Sequence, residues 1–180
     1  GDEDRFSNAY YRGSLYASLG RYEESMHAFE ESKAIAERRH GPQHPDVASS
    51  LSGIATALQR LGRYAEARPL FERNVEIHRA LNGPASLGVA SARNNLGVLL
   101  GQLRFHREAL VELRAAMAIF ERELGPNSMS VARALTTIGA SLGDLDSVAA
   151  AIPALERALA IKLANIGPDH PSTELTRSNL

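Results

Sequence analysis

Apolar residues recur along the chain at intervals of three and four positions. One such run extends from Val47 to Leu61 and a second from Ala67 to Leu81. This spacing puts the apolar side chains of each run on one face of an α-helix. Similar runs return from Val131 to Leu145 and from Ala151 to Ile161. No alternating pattern typical of a β-strand competes, so the pattern predicts an all-α chain.

The helical runs belong to a repeat of 42 residues. The dipeptide Gly-Pro marks it, at Gly41-Pro42, Gly83-Pro84, Gly125-Pro126 and Gly167-Pro168. Two columns of apolar residues keep the same spacing: Ile35, Ile77, Ile119 and Ile161, and Leu19, Leu61, Leu103 and Leu145. Because several columns agree at one period, the chain is predicted to be an array of equivalent units.

Each unit is predicted to be a pair of antiparallel helices. The segment Leu61-Gly62-Arg63-Tyr64 leaves room only for a short turn between two helices. Gly-Pro ends each second helix, since glycine accepts a left-handed backbone and proline cannot continue a helix. We expect a single array with repeats at 1–42, 43–84, 85–126 and 127–168, and a partial fifth repeat or capping helix at 169–180. An end partway through a repeat suggests a piece of a larger multidomain protein.

Composition excludes several classes of function. With 44% hydrophobic and 23% charged residues over 180 positions, the chain is expected to fold. Lys plus Arg is 20 and Asp plus Glu is 21, so no net field attracts nucleic acid or an anionic membrane. No cysteine is present, which excludes disulfides, thiolate catalysis and Cys-ligated zinc. No apolar run approaches the ~18 residues of a membrane span.

Several residues resemble the tetratricopeptide repeat in the 42-residue form of kinesin light chains. The small residue of its first helix corresponds to Gly13, Ala55, Gly97 and Gly139. Its Gly-x-Tyr turn corresponds to Gly20-Arg21-Tyr22 and Gly62-Arg63-Tyr64. Its connector, Gly-Pro-x-His-Pro-x-x-Ala, is complete from Gly41 to Ala48, whereas the second and third connectors lack His-Pro. The resemblance implies a right-handed α-solenoid of antiparallel helix hairpins.

The resemblance also implies that first helices line a concave groove that grips extended peptides. At 100° per residue, the positions opposite the core stripe are Ser7, Tyr11, Ser14 and Ser18 in the first repeat, Ser49, Gly53, Thr56 and Arg60 in the second, Ser91, Asn95, Val98 and Gln102 in the third, and Arg133, Thr137, Ala140 and Asp144 in the fourth. Few of them are charged, which disfavours a clamp for acidic carboxyl termini.

The candidate binding residues come from this face and its margin: Tyr11, Ser52, Thr56, Arg60, Asn94, Asn95, Val98, Gln102, Arg133 and Thr137. Asn95 stands where the family often has an asparagine that bonds the ligand backbone, and an amide both donates and accepts as a peptide bond requires. An ordinary solvated helix residue is the alternative for Asn95. For the serines and threonines it is the favoured interpretation, since small hydroxyl groups are common on exposed helices.

Three internal residues depart from the repeat pattern. Arg93 replaces the leucine found at Leu51 and Leu135, and we expect its stem to pack while its head reaches water or a carboxylate. Gly101 and Gly143 lie inside predicted helices, where glycine costs about 1 kcal/mol relative to alanine. A flat floor for a ligand backbone and close helix packing are both open as explanations.

No catalytic, cofactor or metal site is expected. Gly139-Ala140-Ser141-Leu142-Gly143 matches the G-x-S-x-G of esterases, but that motif requires a strand-to-helix turn and here falls within a helix. His40 and His44 are separated by Gly-Pro-Gln, which breaks the helix that a metal-binding pair would need, and no acidic third ligand is evident. A structural role at the connector is the interpretation for His44.

The sequence therefore predicts a non-enzymatic module that binds a protein or peptide partner in a groove, located in the cytoplasm, with no nucleic-acid or membrane partner. One alternative is a structural spacer or a module for self-association into a homo-oligomer. Another is an intramolecular arm that regulates a neighbouring domain.

Overall fold

The structure is a computed structural model that describes residues 1–180, apart from the side chain of Asp2. The described residues form nine α-helices and no β-strand, as predicted. The helices are α1 (Asp2–Ser18), α2 (Tyr22–His40), α3 (Pro45–Arg60), α4 (Tyr64–Asn82), α5 (Leu87–Gln102), α6 (His106–Leu124), α7 (Met129–Gly143), α8 (Val148–Ile166) and α9 (Pro171–Ser178). Over the same residues, no helix combines the length and the apolar character needed to cross a lipid bilayer.

Two compact units make up the chain, residues 1–92 and residues 93–180. In the first unit, α1 packs against α2, α2 against α3, and α3 against α4. In the second unit, α6 packs against α7, α7 against α8, and α8 against α9. Helices that are consecutive in sequence are therefore neighbours in each unit, which is the packing expected of helix hairpins.

The turn inside each hairpin has a left-handed residue at an equivalent position. Gly20 and Gly62 have φ angles of 74° and 76°, and Arg104 and Asp146 have φ angles of 67° and 55°. These four residues are 42 positions apart. Glycine adopts this conformation without steric cost, whereas a residue with a Cβ does not. The hairpin geometry thus persists in the third and fourth repeats, where the sequence departs from Gly-x-Tyr.

The connectors between hairpins begin each following helix with a side-chain cap. The backbone N–H of Asp46 donates to Nδ1 of His44 at 3.2 Å, and that of Ser172 donates to Nδ1 of His170 at 3.1 Å. In the connectors that lack His-Pro, Ser86 accepts from the N–H of Val89 and Ser128 from that of Val131. Serine is a favoured capping residue, so the cap is retained. The structural role expected for His44 is confirmed.

In two of the hairpins, an arginine of the second helix contacts the connector that precedes the hairpin. Arg73 pairs with Glu37 at 3.1 Å and donates to the carbonyl of Pro42 at 3.5 Å. Arg157, 84 residues later, pairs with Glu121 at 2.7 Å and donates to the carbonyl of Pro126 at 3.0 Å. The same contact therefore recurs in both units. Its sequence signal, a Glu followed 36 residues later by an Arg, was missed.

Glycines let the first helix of a hairpin lie against the second. A Cβ at Gly97 would lie 2.6 Å from Cγ of Leu113, and one at Gly139 would lie 2.5 Å from Cγ of Leu155. Both leucines are buried. Because these distances are shorter than a carbon–carbon contact of about 3.5–4.0 Å, the leucine side chains occupy the space that a larger residue would need.

Gly101 and Gly143 have no such neighbour. Nothing lies within 4 Å of a Cβ at Gly143, and a Cβ at Gly101 would make only an ordinary contact of 3.7 Å with Oγ of Ser141. Close helix packing, one of the two explanations that the sequence left open, is therefore wrong for both glycines.

Arg93 is accommodated as the sequence predicted. Its side chain is only 19% exposed, and its Nε lies 3.7 Å from Oε2 of Glu112, a side chain that is 24% exposed. A leucine at this position would need no partner, whereas a largely buried guanidinium requires a nearby carboxylate. Glu112 supplies that carboxylate from α6.

Lys162 is the most buried charged side chain among the described residues, with 2% of its surface exposed. Its Nζ donates to the carbonyl of Ser172 at 3.1 Å and to Oγ1 of Thr176 at 2.6 Å, so α9 satisfies two of its three donors. Burial lowers the pKa of Lys162, and the charge of Arg133 lowers it further.

A first prediction concerns the two kinds of glycine in α7. Gly139→Ala should destabilise the chain by about 1–3 kcal/mol, because the new methyl group overlaps Leu155. Gly143→Ala should instead be neutral or stabilise by up to about 1 kcal/mol, because its methyl group meets open space. Urea unfolding of both variants measures the difference. Equal effects of the two substitutions would contradict the close contact between α7 and α8.

A second prediction concerns pH. In the range between the lowered pKa of folded Lys162 and the ordinary lysine pKa of the unfolded chain, the unfolded chain binds more protons, so stability rises with pH. The free energy of unfolding of the wild type should therefore rise relative to that of Lys162→Met from neutral to alkaline pH. Urea titrations across that range measure it. Lys33→Met removes the other lysine and serves as the control; parallel profiles for wild type and Lys162→Met would refute the prediction.

Candidate peptide-binding surface

The ten candidate residues lie on first helices and none of them is buried. Tyr11 is on α1, Ser52, Thr56 and Arg60 are on α3, Asn94, Asn95, Val98 and Gln102 are on α5, and Arg133 and Thr137 are on α7. Tyr11, Thr56, Arg60, Gln102 and Arg133 are exposed, and the other five are partly exposed. The side of each first helix that carries them is therefore accessible to a ligand.

Two of the hydroxyl groups are already engaged with their own helix. Oγ1 of Thr56 donates to the carbonyl of Ser52 at 2.8 Å, and Oγ1 of Thr137 donates to the carbonyl of Arg133 at 3.3 Å. Such bonds to the preceding turn are common for threonine in helices. Because the hydroxyl hydrogens are used, each oxygen presents its free lone pairs to solvent. Both threonines are thus suited to accept a hydrogen bond from a ligand N–H.

The two neighbouring asparagines differ in access. Oδ1 of Asn94 is buried and accepts no hydrogen bond from any described part of the chain. Asn95 is partly exposed. A ligand that needs an amide acceptor can therefore not use the oxygen of Asn94, and Asn95 is the better candidate of the pair.

The first unit has a cleft of about 260 Å³ on this face. Its lining comes from α1 and the start of α3: Phe6, Ser7, Tyr10, Tyr11, Asp46 and Ser49. Ser7, Tyr11 and Ser49 are positions that the helical wheel placed on this face. Tyr11 is 71% exposed, and Asp46 contributes the one formal charge of the lining.

Two of the three aromatic residues of the cleft, Phe6 and Tyr10, were not predicted. The rings of Phe6 and Tyr10 stack with centroids 5.9 Å apart, and Tyr10 meets Tyr11 edge to face at 6.4 Å. Phe6 and Tyr10 are four residues apart on a helix, a spacing that brings side chains together. That spacing was the available signal.

Gly53 is partly exposed and also packs against an aromatic ring. A Cβ at Gly53 would lie 2.6 Å from the ring of Phe29, which also lies 2.9 Å from a Cβ at Gly13. The phenylalanine thus packs between two glycines of different first helices. A helical wheel shows only the directions within one helix and cannot show that a neighbouring ring reaches this position. The place of Gly53 on the groove face stays a prediction, but the ring of Phe29 leaves no room for a side chain there.

The charged positions of the fourth repeat differ in their surroundings. Arg133 is exposed and donates to Oγ of Ser130 at 3.3 Å. Asp144 lies 3.7 Å from the guanidinium of Arg104 and 3.6 Å from Nδ1 of His106. Asp144 therefore has cationic or titratable neighbours, and Arg133 is the more available charge for a ligand.

The esterase-like motif has no catalytic geometry. Ser141 lies inside α7 and only 2% of its surface is exposed. The strand-to-helix turn that exposes a nucleophilic serine is absent from this part of the chain, which the structure describes as helix. The interpretation of this motif as a chance match holds.

The surroundings of His40 and His44 differ from the sequence-based expectation that no acidic third ligand lies near them. Their rings stack with centroids 4.0 Å apart, even though the helix ends between them as predicted, so an unbroken helix is not needed to bring the two histidines together. Asp46 adds the acidic group that was missed, and the ligand atoms of the three residues lie within 4.8 Å of one another. The reason is local: α2 ends at His40, and Gly41, with φ of 83°, reverses the chain so that His44 lies beside it.

The comparison with family models identifies this class of protein. The tetratricopeptide repeat model matches residues 5–73, 46–110 and 89–164, which together cover most of the chain. The chain therefore belongs to the tetratricopeptide repeat family. Proteins of this class are scaffolds for protein interactions, and the chain has this general role.

Solved structures show the same fold. A structure of BtubC (BKLC) from P. vanneervenii has a TM-score of 0.83 at 23% identity, covering 95% of this chain and 68% of that one. A Podosopora anserina protein with nearly identical TPR-like repeats, named after kinesin light chain, has a TM-score of 0.80 at 22% identity, covering 98% and 83%. The apo form of RapI reaches 0.81 at 15% identity, covering 98% and 67%. The chain is thus an all-α repeat solenoid, as predicted.

No curated protein matches the chain by sequence. The similarity to kinesin light chain-like repeat proteins is one of fold.

Proposed function

We propose that the chain is a non-catalytic module that binds an extended peptide segment of a protein partner along the exposed side of its first helices. The repeats at 1–42, 43–84, 85–126 and 127–168 each contribute one such helix. The cytoplasm is the compartment in which we expect this interaction.

The cleft on α1 and α3 is the observation that carries this proposal. Its volume of about 260 Å³ approaches the lower end of small-ligand pockets, roughly 300 Å³, and suits one or two side chains of a peptide. Tyr11 stands 71% exposed at this cleft. An exposed tyrosine offers a large contact area and a polar group at a low entropic cost. The lining is therefore typical of a contact surface for a peptide.

The second unit offers polar groups of its own to a peptide. Asn95 can donate to a peptide carbonyl and accept from a peptide N–H at the same time. Thr137 offers an acceptor oxygen, Val98 offers an apolar contact, and Arg133 offers a charge. Little electrostatic steering is expected from a chain with a net charge of −1, so affinity would rest on short-range contacts along a preformed surface.

A third prediction tests this surface with a displayed library of random linear peptides. Selection against the purified chain should enrich peptides that bind it. Binding of an enriched peptide should weaken at least tenfold, about 1.4 kcal/mol, in the double variant Asn95→Ala with Arg133→Ala, or in Tyr11→Ala when the peptide occupies the first unit. Fluorescence anisotropy with the labelled peptide measures the dissociation constant.

The matched control removes the same chemistry from second helices. Asn82→Ala with Arg114→Ala deletes one amide and one guanidinium from exposed positions of α4 and α6, and it should leave the dissociation constant unchanged. If no peptide is enriched, or if the enriched peptides bind the first-helix variants as tightly as the wild type, the proposal is wrong.

Self-association is the second candidate, and one observation favours it. The second unit has another cleft, of about 290 Å³, whose rim includes Val148, Ile152 and Leu180. These three apolar side chains are between 39% and 58% exposed. A mass that rises with concentration in light scattering, and falls back in Val148→Ser, would favour this role. A spacer or a regulatory arm of a neighbouring domain would show neither peptide binding nor such a mass increase.

A further inference from the structure

The first connector brings three metal-ligating side chains together. His40 ends α2, His44 caps α3, and Asp46 lies in the first turn of α3. The imidazole and carboxylate ligand atoms all lie within 4.8 Å of one another. Nδ1 of His44 is 3.4 Å from Oδ2 of Asp46. None of these side chains belongs to the peptide-binding residues proposed above, although Asp46 also borders the cleft of the first unit.

We propose that His40, His44 and Asp46 bind a zinc ion. Two imidazoles and one carboxylate are ligands that zinc prefers, and three protein ligands leave the fourth tetrahedral position to water. The ion would join the last residue of α2 to the first turn of α3. It would thereby act as a clip across the connector between two hairpins.

The distances between the ligand atoms are compatible with a zinc site that contracts when the ion binds. Zinc lies about 2.0–2.2 Å from nitrogen and oxygen ligands, so two ligands of a tetrahedral site are separated by roughly 3.4 Å. The pair His44 and Asp46 already has this separation. His40 is exposed at the end of its helix, and its ligand atom lies within 4.8 Å of those of His44 and Asp46, so it would have to move closer to them to complete the site.

The hydrogen bonding of His44 already selects the required nitrogen. Its Nδ1 accepts from the backbone N–H of Asp46 at 3.2 Å, and in a neutral imidazole the accepting nitrogen carries no proton. The lone pair that caps α3 is therefore the one that zinc would take. Metal binding and the cap compete for this atom, and the carboxylate of Asp46 is held beside it in either state.

The other three connectors show that the repeat does not need this set of residues. The positions equivalent to His40, His44 and Asp46 hold Asn82, Ser86 and Gly88 in the second connector, Leu124, Ser128 and Ser130 in the third, and Ile166, His170 and Ser172 in the fourth. Each of those connectors still caps its helix. The cap alone accounts for His44, whereas it does not account for His40 or Asp46.

Two basic side chains near the connector share one carboxylate. The guanidinium of Arg73 reaches the carbonyl of Pro42 at 3.5 Å, but it pairs with Glu37 at 3.1 Å. Glu37 also pairs with Nζ of Lys33 at 3.4 Å, so Asp46 is the carboxylate that would offset the charge of a cation at the three ligands.

The fourth prediction is that the metal-free chain, with any affinity tag removed, binds one zinc ion. Isothermal titration with Zn²⁺ near pH ~7.5 should give a stoichiometry of one, and Mg²⁺ should give no heat because that ion prefers an all-oxygen site. Each of His40→Leu, His44→Ser and Asp46→Ser should weaken the zinc dissociation constant at least roughly tenfold. Each new residue occurs at the equivalent position of another repeat, so the fold should be preserved.

His170→Ser is the matched control, because it removes the same kind of capping histidine from a connector that has no other ligand. It should leave the zinc dissociation constant unchanged. Zinc should also raise the melting temperature of the wild type and of His170→Ser, but not that of the three ligand variants. Absence of binding at a stoichiometry of one, or retention of wild-type affinity in His40→Leu or Asp46→Ser, would overturn the proposal. An equal loss in His170→Ser would do the same.

Discussion

Each hairpin depends on the close approach of its first helix to its second. At Gly97 and Gly139 the absence of a Cβ lets Leu113 and Leu155 reach the helix backbone. This contact fixes which side of the first helix is buried, and the opposite side is consequently exposed. The exposed polar residues and the buried small residues are thus two results of one packing constraint, which recurs every 42 positions with Ala55 in place of glycine in the second repeat.

The same repeat tolerates different residues where only the backbone geometry matters. The left-handed position of the hairpin turn is Gly20 in the first repeat and Arg104 in the third. The capping residue of the connector is His44 in the first connector and Ser86 in the second. Substitution at these positions changes the chemistry available to solvent without changing the fold. In the first connector, His44 caps a helix as serine does in other connectors. It also lies beside His40 and Asp46, so that the three side chains can bind one ion as proposed above.

The sequence predicted the features that recur with the repeat. It did not predict the features that depend on contacts between side chains of different helices. Helix content, hairpin turns, the ends at Gly-Pro and the packing of Arg93, with its head at water or a carboxylate, followed from spacing and from single-residue chemistry. The ring of Phe29 against Gly53, the stacked pair His40 and His44, and the burial of Lys162 did not. Each of these three results depends on how a side chain from another helix or from a reversed connector is placed, which spacing within one helix cannot show.

Site-specific thiol labelling tests the 42-residue register most directly, because the chain has no cysteine. Single cysteines would replace the fully buried column Ala48, Ala90 and Ala132, and the column eight residues further on, Thr56, Val98 and Ala140, which is exposed or partly exposed. In the native protein, cysteines at the second column should react rapidly, and those at the first should react only after unfolding. Equal rates in the two columns of any repeat would contradict the account.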